Sequence, residues 1–367
     1  KDAPLYQPYI EKIKPLVSDI RIRSRWLNAV SADVDPQNID GLAAFEEIRK
    51  IDLVKSYRKP RPIESHGPDY QNSFHKATEV DYGPSFTQLD QIGVVDLHEE
   101  GYFGQGVLIC MLDDGFNLYN THECFDSLDV VATWDFINGD ESVDDPSASP
   151  TEGWHGTKTL SAIAGYKPGE LIGPAFRASY MLAKTEDDNG ETPVEEDYWV
   201  AGLEWAELNG ADLASSSLGY IDWYTWEDMD GETAVTTIAA DIAVSNGMII
   251  VNSAGNEGYS STHNTLIAPA DAHLVISAAA VTSEGERSSF SSVGPTADGR
   301  IKPEVAAMGS GVYVASYTDP QGYTYSSGTS FSCPLIAGAI AQLLTAKPEL
   351  TPLQVREALL NTATQSE

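Results

Sequence analysis

Cysteine is scarce in this chain of 367 residues, which contains only Cys110, Cys124 and Cys333. So small and odd a number excludes a disulfide framework, and two of the three lie among apolar or small residues, where buried thiols are common. We therefore expect three free thiols. Stability must then come from packing, from bound ions or from both.

Long hydrophobic runs are also lacking, and we expect no segment that spans a bilayer. The chain starts at Lys1 without an apolar leader, so a signal segment would lie outside this sequence. Hydrophobic residues nevertheless make up 42% of the chain. That is enough for a sizeable core, and the length suggests one large domain plus a smaller one.

Basic residues are few: 22 Lys and Arg stand against 55 Asp and Glu, for a formal net charge of -33. Residues 1–64 hold 12 of the basic and 10 of the acidic residues, so the remainder carries about -35 and the N-terminal part about +2. Nucleic acid would be repelled by such a surface, and we expect none as a partner. Because salt screens self-repulsion, we interpret the charge as a sign of a saline or cation-rich habitat.

The N-terminal 64 residues are predicted to form a small α+β module. The segment LNAVSADV alternates as a strand does, and DLVKSYRKPRP is interpreted as a second strand. Between them, Asp35 is a helix N-cap, Pro36 suits the first helical position, and the apolar residues repeat with helical spacing. These apolar residues are Ile39, Leu42, Phe45 and Ile48. Residues 65–82 are polar and aperiodic, which indicates a linker or maturation junction.

From residue 83 to 367, short apolar strands alternate with helical stretches. This alternation predicts βαβ units, and therefore an α/β domain with a mainly parallel sheet and helices on both faces. Ligands collect at the carboxyl ends of the strands in such sheets. The strand ICML is followed by Asp113 and Asp114, so these two carboxylates lie where a ligand is expected.

Three further strand ends or turns carry reactive side chains: His155 in GWHGT, Asn256 in NSAGNEG and Ser330 in SSGTSF. Each alone has an ordinary structural explanation as a packed histidine, a turn former or a helix cap. Together they match the needs of acyl transfer. A serine needs an imidazole to take its proton, the imidazole needs a carboxylate to orient it, and an amide can stabilise the oxyanion.

The motifs MLDDGF, HGTKTLSAIAG, SSSLGY, NSAGNEG, FSSVGP and GTSFSCPLIAG follow one another in this order. The chain from about residue 83 onward thereby resembles the subtilisin-like serine proteases, a family with the same Asp, His, Ser order. The resemblance implies a three-layer subtilisin-like fold. It assigns the triad to Asp113, His155 and Ser330 and the oxyanion-hole amide to Asn256, while Asp114 is expected to serve the turn.

The resemblance also extends to substrate, inhibitor and localisation. It implies a secreted or cell-envelope endopeptidase, expected to be monomeric, that is made as an autoprocessed zymogen with residues 1–64 as an inhibitory propeptide. No cofactor is implied for the chemistry. A structural calcium ion is an open expectation, for which the acidic segment 138–145 offers oxygen ligands, although Cys124 replaces a calcium-binding aspartate of many relatives.

The specificity pocket is implied by motif as well. One wall corresponds to Ser217, Leu218 and Gly219, and the other to Ala254 and Gly255. Ile267 falls where relatives keep the pocket base small, which favours modest side chains at the cleaved bond. Glu257 at the rim favours basic residues instead, so a selective processing protease is one alternative function. A non-catalytic scaffold with a permanently docked propeptide is another.

Overall fold

Most of the chain folds around one central sheet, as seen in a computed structural model that describes residues 4–54, 80–144, 154–187 and 192–364. The strands of these residues are β1 Asp19–Ser24, β2 Ala29–Asp33, β3 Leu108–Asp113, β4 Asp129–Asp135, β5 Tyr166–Lys167, β6 Leu171–Ile172, β7 Ser179–Lys184, β8 Leu213–Ser216, β9 Ile249–Ser253, β10 Ile276–Val281, β11 Val305–Met308, β12 Val312–Ala315 and β13 Tyr323–Ser326. The helices are α1 Gln7–Ile13, α2 Ile39–Ala43, α3 Phe86–Asp90, α4 Val94–Glu99, α5 Trp154–Ala164, α6 Val194–Leu208, α7 Val235–Asn246, α8 Thr329–Ala346 and α9 Pro352–Thr362.

The central sheet has seven strands in the order β11-β10-β9-β8-β3-β7-β4, and every pairing is parallel. Alternate residues of β3 face opposite sides, as the pleat requires. Ile109 and Met111 join the core formed with α5 and α8, whereas Cys110 and Leu112 join the core formed with α6 and α7. The predicted α/β fold with helices on both faces is confirmed.

Helix α8 bears on the expectation that no segment of the chain spans a bilayer. Its 18 residues are long and apolar enough, by length and composition alone, to cross a membrane. However, 78% of this window is buried inside the protein. The helix packs on β8, β9, β10 and β11, and a Cβ on Gly338 would lie 2.2 Å from Cγ of Pro174. Its apolar composition is thus that of a core helix.

The N-terminal module contains an antiparallel hairpin of β1 and β2. The strand predicted in LNAVSADV is confirmed as β2, and its partner is β1. Residues 51–54 are irregular, and the rest of DLVKSYRKPRP lies outside the described residues. The helix predicted after Asp35 begins as a single 3-10 turn capped by that residue and continues only as α2. Phe45 and Ile48 therefore lie beyond it.

The hairpin of this module packs against α6 through the buried carboxylate of Glu204. Ser24 Oγ donates to Oε1 (2.5 Å), and the backbone amide of Arg25 donates to Oε2 (3.0 Å). The guanidinium Nε of Arg25 donates to the same Oε2 (3.1 Å). The N-terminal module and the main domain therefore share a charged, water-excluded contact.

All three cysteines are buried and free, as expected. Burial raises the pKa of each thiol above its usual range. Because the thiolate is the reactive form of cysteine, these side chains act as small core residues and not as nucleophiles.

Candidate active site

Asp113 ends β3 and is fully buried, yet both of its carboxylate oxygens have donors. His155 Nδ1 donates to Oδ1 (2.6 Å), and Thr159 Oγ1 donates to Oδ2 (2.8 Å). Two such donors satisfy both oxygens of this buried side chain and offset the cost of removing it from water. It also fixes the histidine with Nδ1 protonated, which leaves Nε2 able to accept a proton.

Asp114 has a different task from its neighbour. Its Oδ1 accepts from the amide of Gly156 (2.8 Å) and its Oδ2 from the amide of His155 (3.2 Å). These are two of the unpaired amides in the first turn of α5, where a negative charge is favourable. A side chain at residue 156 is excluded, because a Cβ there would lie 2.1 Å from the Gly115 carbonyl oxygen. The expectation that Asp114 serves the local backbone thus has a specific form: it caps the helix that carries His155.

Ser330 is the second residue of α8. The ring centroid of the next residue, Phe331, is 5.9 Å from that of His155, so the start of α8 lies beside this histidine. Its hydroxyl donates to the carbonyl oxygen of Ser217 (3.3 Å), and the Ser217 hydroxyl donates to the Ser330 carbonyl oxygen (2.8 Å). Within the described residues, Ser330 Oγ makes no hydrogen bond to His155. The Asp113 and His155 pair is therefore assembled, while the serine is held at the adjoining strand end.

Asn256 follows β9 and faces the start of α8. Its Oδ1 accepts from the amide of Thr329 (2.9 Å) and from its hydroxyl (3.1 Å). The amide nitrogen Nδ2 consequently points away from these contacts, and lies 3.8 Å from where a Cβ on Gly328 would be. Since the first amides of a helix lack partners within the helix, the Ser330 N–H is available as a second donor beside it. Two donors at a positive helix end can stabilise an oxyanion.

The two expected walls of the specificity pocket lie at neighbouring strand ends. Residues 217–219 follow β8 and residues 254–255 follow β9, and these strands pair directly. The side chain of Ile267 lies between the walls. A Cβ on Gly219 would be 2.3 Å from its Cδ1, and a Cβ on Gly255 would be 3.0 Å from its Cγ2. Ile267 therefore fills space that the two glycines leave open.

Residues that hold a metal ion would need several ligand atoms in one place. In the ranges that the structure describes, the only group of three or more His, Cys, Asp or Glu that meets this condition is Asp113, Asp114 and His155. Their atoms are already committed to one another and to the start of α5. Asp140 of the acidic segment accepts from the amide of Ser142 (2.8 Å), and residues 145–153 lie outside the described ranges. Within the described ranges this segment contributes no such group of side chains, and the structural calcium ion stays a prediction.

Two contributors to the site escaped the sequence analysis, Thr159 and Thr329. A signal for Thr159 existed, because it lies four residues after His155 and thus on the same helix face. For Thr329 the sequence offered only its position next to Ser330. Lys158 replaces a histidine of the family pattern. Its ammonium lies 4.5 Å from the ring centroid of Trp154, a cation–π contact at the start of α5.

Comparison with known proteins gives a consistent assignment. A model of the subtilase family matches residues 104–367, and one of the peptidase S8 propeptide domain of Bacteroidota matches residues 1–68. The chain belongs to the subtilase family. It is thus a subtilisin-like serine protease with a propeptide domain.

Individual relatives agree with this family assignment. Subtilisin DY of Bacillus licheniformis is 32% identical over 289 residues, which cover 78% of this chain and 93% of the relative. Subtilisin NAT of Bacillus subtilis subsp. natto is 29% identical over 359 residues, or 96% of this chain and 81% of the relative. Among solved structures, a cold adapted subtilisin-like serine proteinase aligns with a TM-score of 0.58 and 26% identity, covering 72% of this chain and 85% of that one. The predicted resemblance and the predicted enzyme class are confirmed.

Proposed function

We propose that this protease hydrolyses peptide bonds through an acyl-enzyme formed on Ser330, with Asp113, His155 and Asn256 as its partners. The observation that carries the proposal is the 2.6 Å bond between Asp113 and His155 beside the start of α8. The proposal requires the Ser330 hydroxyl to leave the Ser217 carbonyl oxygen, to which it now donates, and to donate to His155 Nε2 instead. Looser contacts of this kind before substrate binds are common in enzymes.

The reaction then follows from the groups present. Ser330 Oγ attacks the carbonyl carbon of the peptide as its proton passes to His155 Nε2, and Asp113 stabilises the imidazolium. The oxyanion accepts hydrogen bonds from Asn256 Nδ2 and from the Ser330 amide. The imidazolium gives its proton to the leaving amine, and water then hydrolyses the ester by the same route. No cofactor takes part in these proposed steps.

The substrate is proposed to be a polypeptide bound in extended form, with a primary pocket kept shallow by Ile267. Small or medium side chains would then be preferred at the cleaved bond, because a large one would overlap the isoleucine. A peptide library cleaved best after large side chains would contradict this preference. Secretion and a monomeric state are proposed from the resemblance to the family.

The N-terminal module is proposed to act as an inhibitor and folding partner of the domain that follows, with boundaries at 1–64, 65–82 and 83–367. Its contact with Glu204 supports docking on α6. Cleavage is proposed within about residues 58–82, most of which lie outside the described residues. The alternative of a non-catalytic scaffold predicts that no cleavage occurs.

A single experiment separates catalysis from scaffolding. The wild-type chain and Ser330→Ala are exposed to a fluorophosphonate probe and examined by mass spectrometry. We expect the wild type to be labelled on Ser330 and to lose its N-terminal module, and the variant to stay unlabelled and intact. An unlabelled wild type, or equal processing of both chains, would overturn the proposal.

A further inference from the structure

Thr159 contacts the proposed active site but takes no part in the reaction described above. It lies in α5, four residues after His155, and it is completely buried. Its hydroxyl donates to Asp113 Oδ2 (2.8 Å). The other carboxylate oxygen, Oδ1, accepts from His155 Nδ1 (2.6 Å) and from the backbone amide of Asp114 (3.0 Å). Within the described residues, Thr159 is therefore the one donor to Oδ2.

The single proton of the Thr159 hydroxyl has two acceptors within reach. The second is the carbonyl oxygen of Gly156, which lies 3.1 Å from Oγ1, and threonines in helices often bond to a carbonyl of the preceding turn. The carboxylate of Asp113 is the nearer acceptor, and hydrogen bonds to carboxylates are stronger than those to neutral carbonyls. We therefore assign the proton to the bond with Asp113. In this position it offsets part of the negative charge that the carboxylate presents to the imidazole of His155.

Two acidic side chains lie next to the His155 ring. Carboxylate oxygens of Asp113 and Asp114 and a ring nitrogen of His155 all lie within 4.8 Å of one another. Negative charge close to an imidazole favours the protonated ring, whereas a general base has to be unprotonated at the pH at which the enzyme works. The donors to Asp114 are backbone amides, which no substitution removes. The Thr159 hydroxyl, in contrast, can be deleted without moving a charge or a backbone group.

Other charged or titratable groups around His155 have partners of their own. Lys158, on the same helix, places its ammonium over the Tyr317 ring, 5.4 Å from its centroid. On the neighbouring strand β7, Lys184 pairs with Asp135 of β4 (3.6 Å). The first turn of α8, which lies beside the ring, contains no acidic residue. Deleting the Thr159 hydroxyl therefore changes the field at His155 mainly through Asp113.

We propose that Thr159 is a positioning residue that sets the pH range in which His155 can act as a general base. Without its hydroxyl, the Asp113 carboxylate would stabilise the imidazolium more strongly, and the base would stay protonated up to a higher pH. The inference rests on the proposed function for the role of His155. It goes beyond that function because it gives one buried hydroxyl control over the pH dependence of the enzyme, and it states the direction of the effect.

An NMR titration tests this proposal without catalysis. The ring signals of His155, assigned by their loss in His155→Gln, are followed against pH in the full-length Ser330→Ala chain. Thr159→Val keeps the shape of the side chain without the hydroxyl, and we expect the titration midpoint of the ring to rise by about 0.5 to 1 pH unit. Thr159→Ser keeps the hydroxyl and should leave the midpoint in place. Thr157→Val is the matched control, because it removes from the same helix a buried hydroxyl that donates to the carbonyl oxygen of Asn117, and it should also leave the midpoint in place.

Kinetics provides the second arm, in chains that retain Ser330. We expect the acidic limb of the kcat/KM profile on one peptide to move to higher pH in Thr159→Val but not in Thr159→Ser or Thr157→Val. A merely structural role would lower the plateau and leave the limb in place. If Thr159→Val does not fold, Thr159→Ala replaces it with the same expected rise. If no peptide is cleaved, the proposed function fails while the NMR arm still decides this inference. An unmoved midpoint without the hydroxyl, or an equal rise in Thr159→Ser, would overturn it.

Discussion

Thr159 and Thr329 flank the reactive groups and set their orientation. Thr159 occupies the carboxylate oxygen of Asp113 that the imidazole does not use, and Thr329 holds the amide oxygen of Asn256 so that the nitrogen faces the start of α8. At the scale of single residues, preorganisation therefore comes from hydroxyl and amide donors next to the reacting atoms. Such donors stabilise a transition state because they need no rearrangement when charge develops.

Asn256 provides the prediction at this scale. Asn256→Ala removes the Nδ2 donor and should lower kcat about 10²- to 10³-fold with little change in KM, the range established for loss of an oxyanion-hole donor in subtilisin. Steady-state kinetics on a peptide substrate is the measurement. Thr329→Val should produce a smaller loss, because it removes the side-chain contact to Oδ1 but keeps the backbone one. Unchanged kcat in Asn256→Ala would remove this residue from the mechanism.

At the scale of elements, α6 is joined to two other parts of the chain through buried acids. Glu196 accepts from Trp223 Nε1 (2.7 Å), Tyr224 Oη (3.0 Å) and Thr236 Oγ1 (3.2 Å), which ties the helix to the segment before α7 and to α7 itself. Glu204, two turns further on, holds the N-terminal hairpin. The helix thus anchors both the segment before α7 and the N-terminal module.

The first of these acids should make stability depend on pH. Burial raises the pKa of Glu196 to about 7 from a usual 4.5. The folded chain therefore binds this proton more tightly than the unfolded chain, and the free energy of unfolding should fall as pH rises from about 4.5 to 7. Glu196→Gln stays neutral and should lose this part of the decline, a gain of at most about 3 kcal/mol near neutral pH. Urea unfolding of both chains in the Ser330→Ala background measures it, and parallel pH profiles would contradict it.

The second acid should govern docking of the N-terminal hairpin. Glu204→Gln weakens charge-assisted hydrogen bonds to Ser24 and Arg25, and we expect amide hydrogen exchange in β1 and β2 to accelerate about tenfold, or about 1.4 kcal/mol. Exchange is measured by mass spectrometry in the Ser330→Ala chain. Glu207→Gln is the control, because its only ion pair with Arg25 is long at 3.5 Å. Equal exchange in both variants would show that Glu204 does not hold the hairpin.

Most strands and helices after residue 83 were predictable, because short apolar runs that alternate with stretches of helical periodicity indicate a parallel sheet. The reactive residues were predictable from their order along the chain. The N-terminal hairpin was only half predicted, since the short alternation of Ile20 and Ile22 in β1 is interrupted by arginines and by a bulge between them. The role of Glu204 could not be predicted, because it depends on how two separately folded parts meet.

At the scale of the whole molecule, charge dominates. The part of the chain after residue 64 holds 45 of the 55 acidic residues, and the part before it is nearly neutral. Net charge of this size repels itself within the folded state and attracts cationic ligands from a distance. The proposed docking of the nearly neutral propeptide takes place within this field.

Salt should therefore stabilise the protein. Raising ionic strength from a few millimolar to ~1 M shortens the Debye length from tens of ångströms to ~3 Å and screens the repulsion. We expect Tm to rise across this range, measured by calorimetry on Ser330→Ala with a chloride salt. A flat or falling Tm would contradict the interpretation of a saline habitat.

The two adjacent acidic residues at the end of β3, Asp113 and Asp114, have separate roles that do not overlap. All four carboxylate oxygens of Asp113 and Asp114 accept hydrogen bonds. Those of Asp113 accept from the side chains of His155 and Thr159, and those of Asp114 accept from the backbone amides of Gly156 and His155. Because each carboxylate is held by its own set of donors, neither can take the place of the other. A substitution of Asp113 should therefore disturb the ring of His155, and a substitution of Asp114 should disturb its backbone.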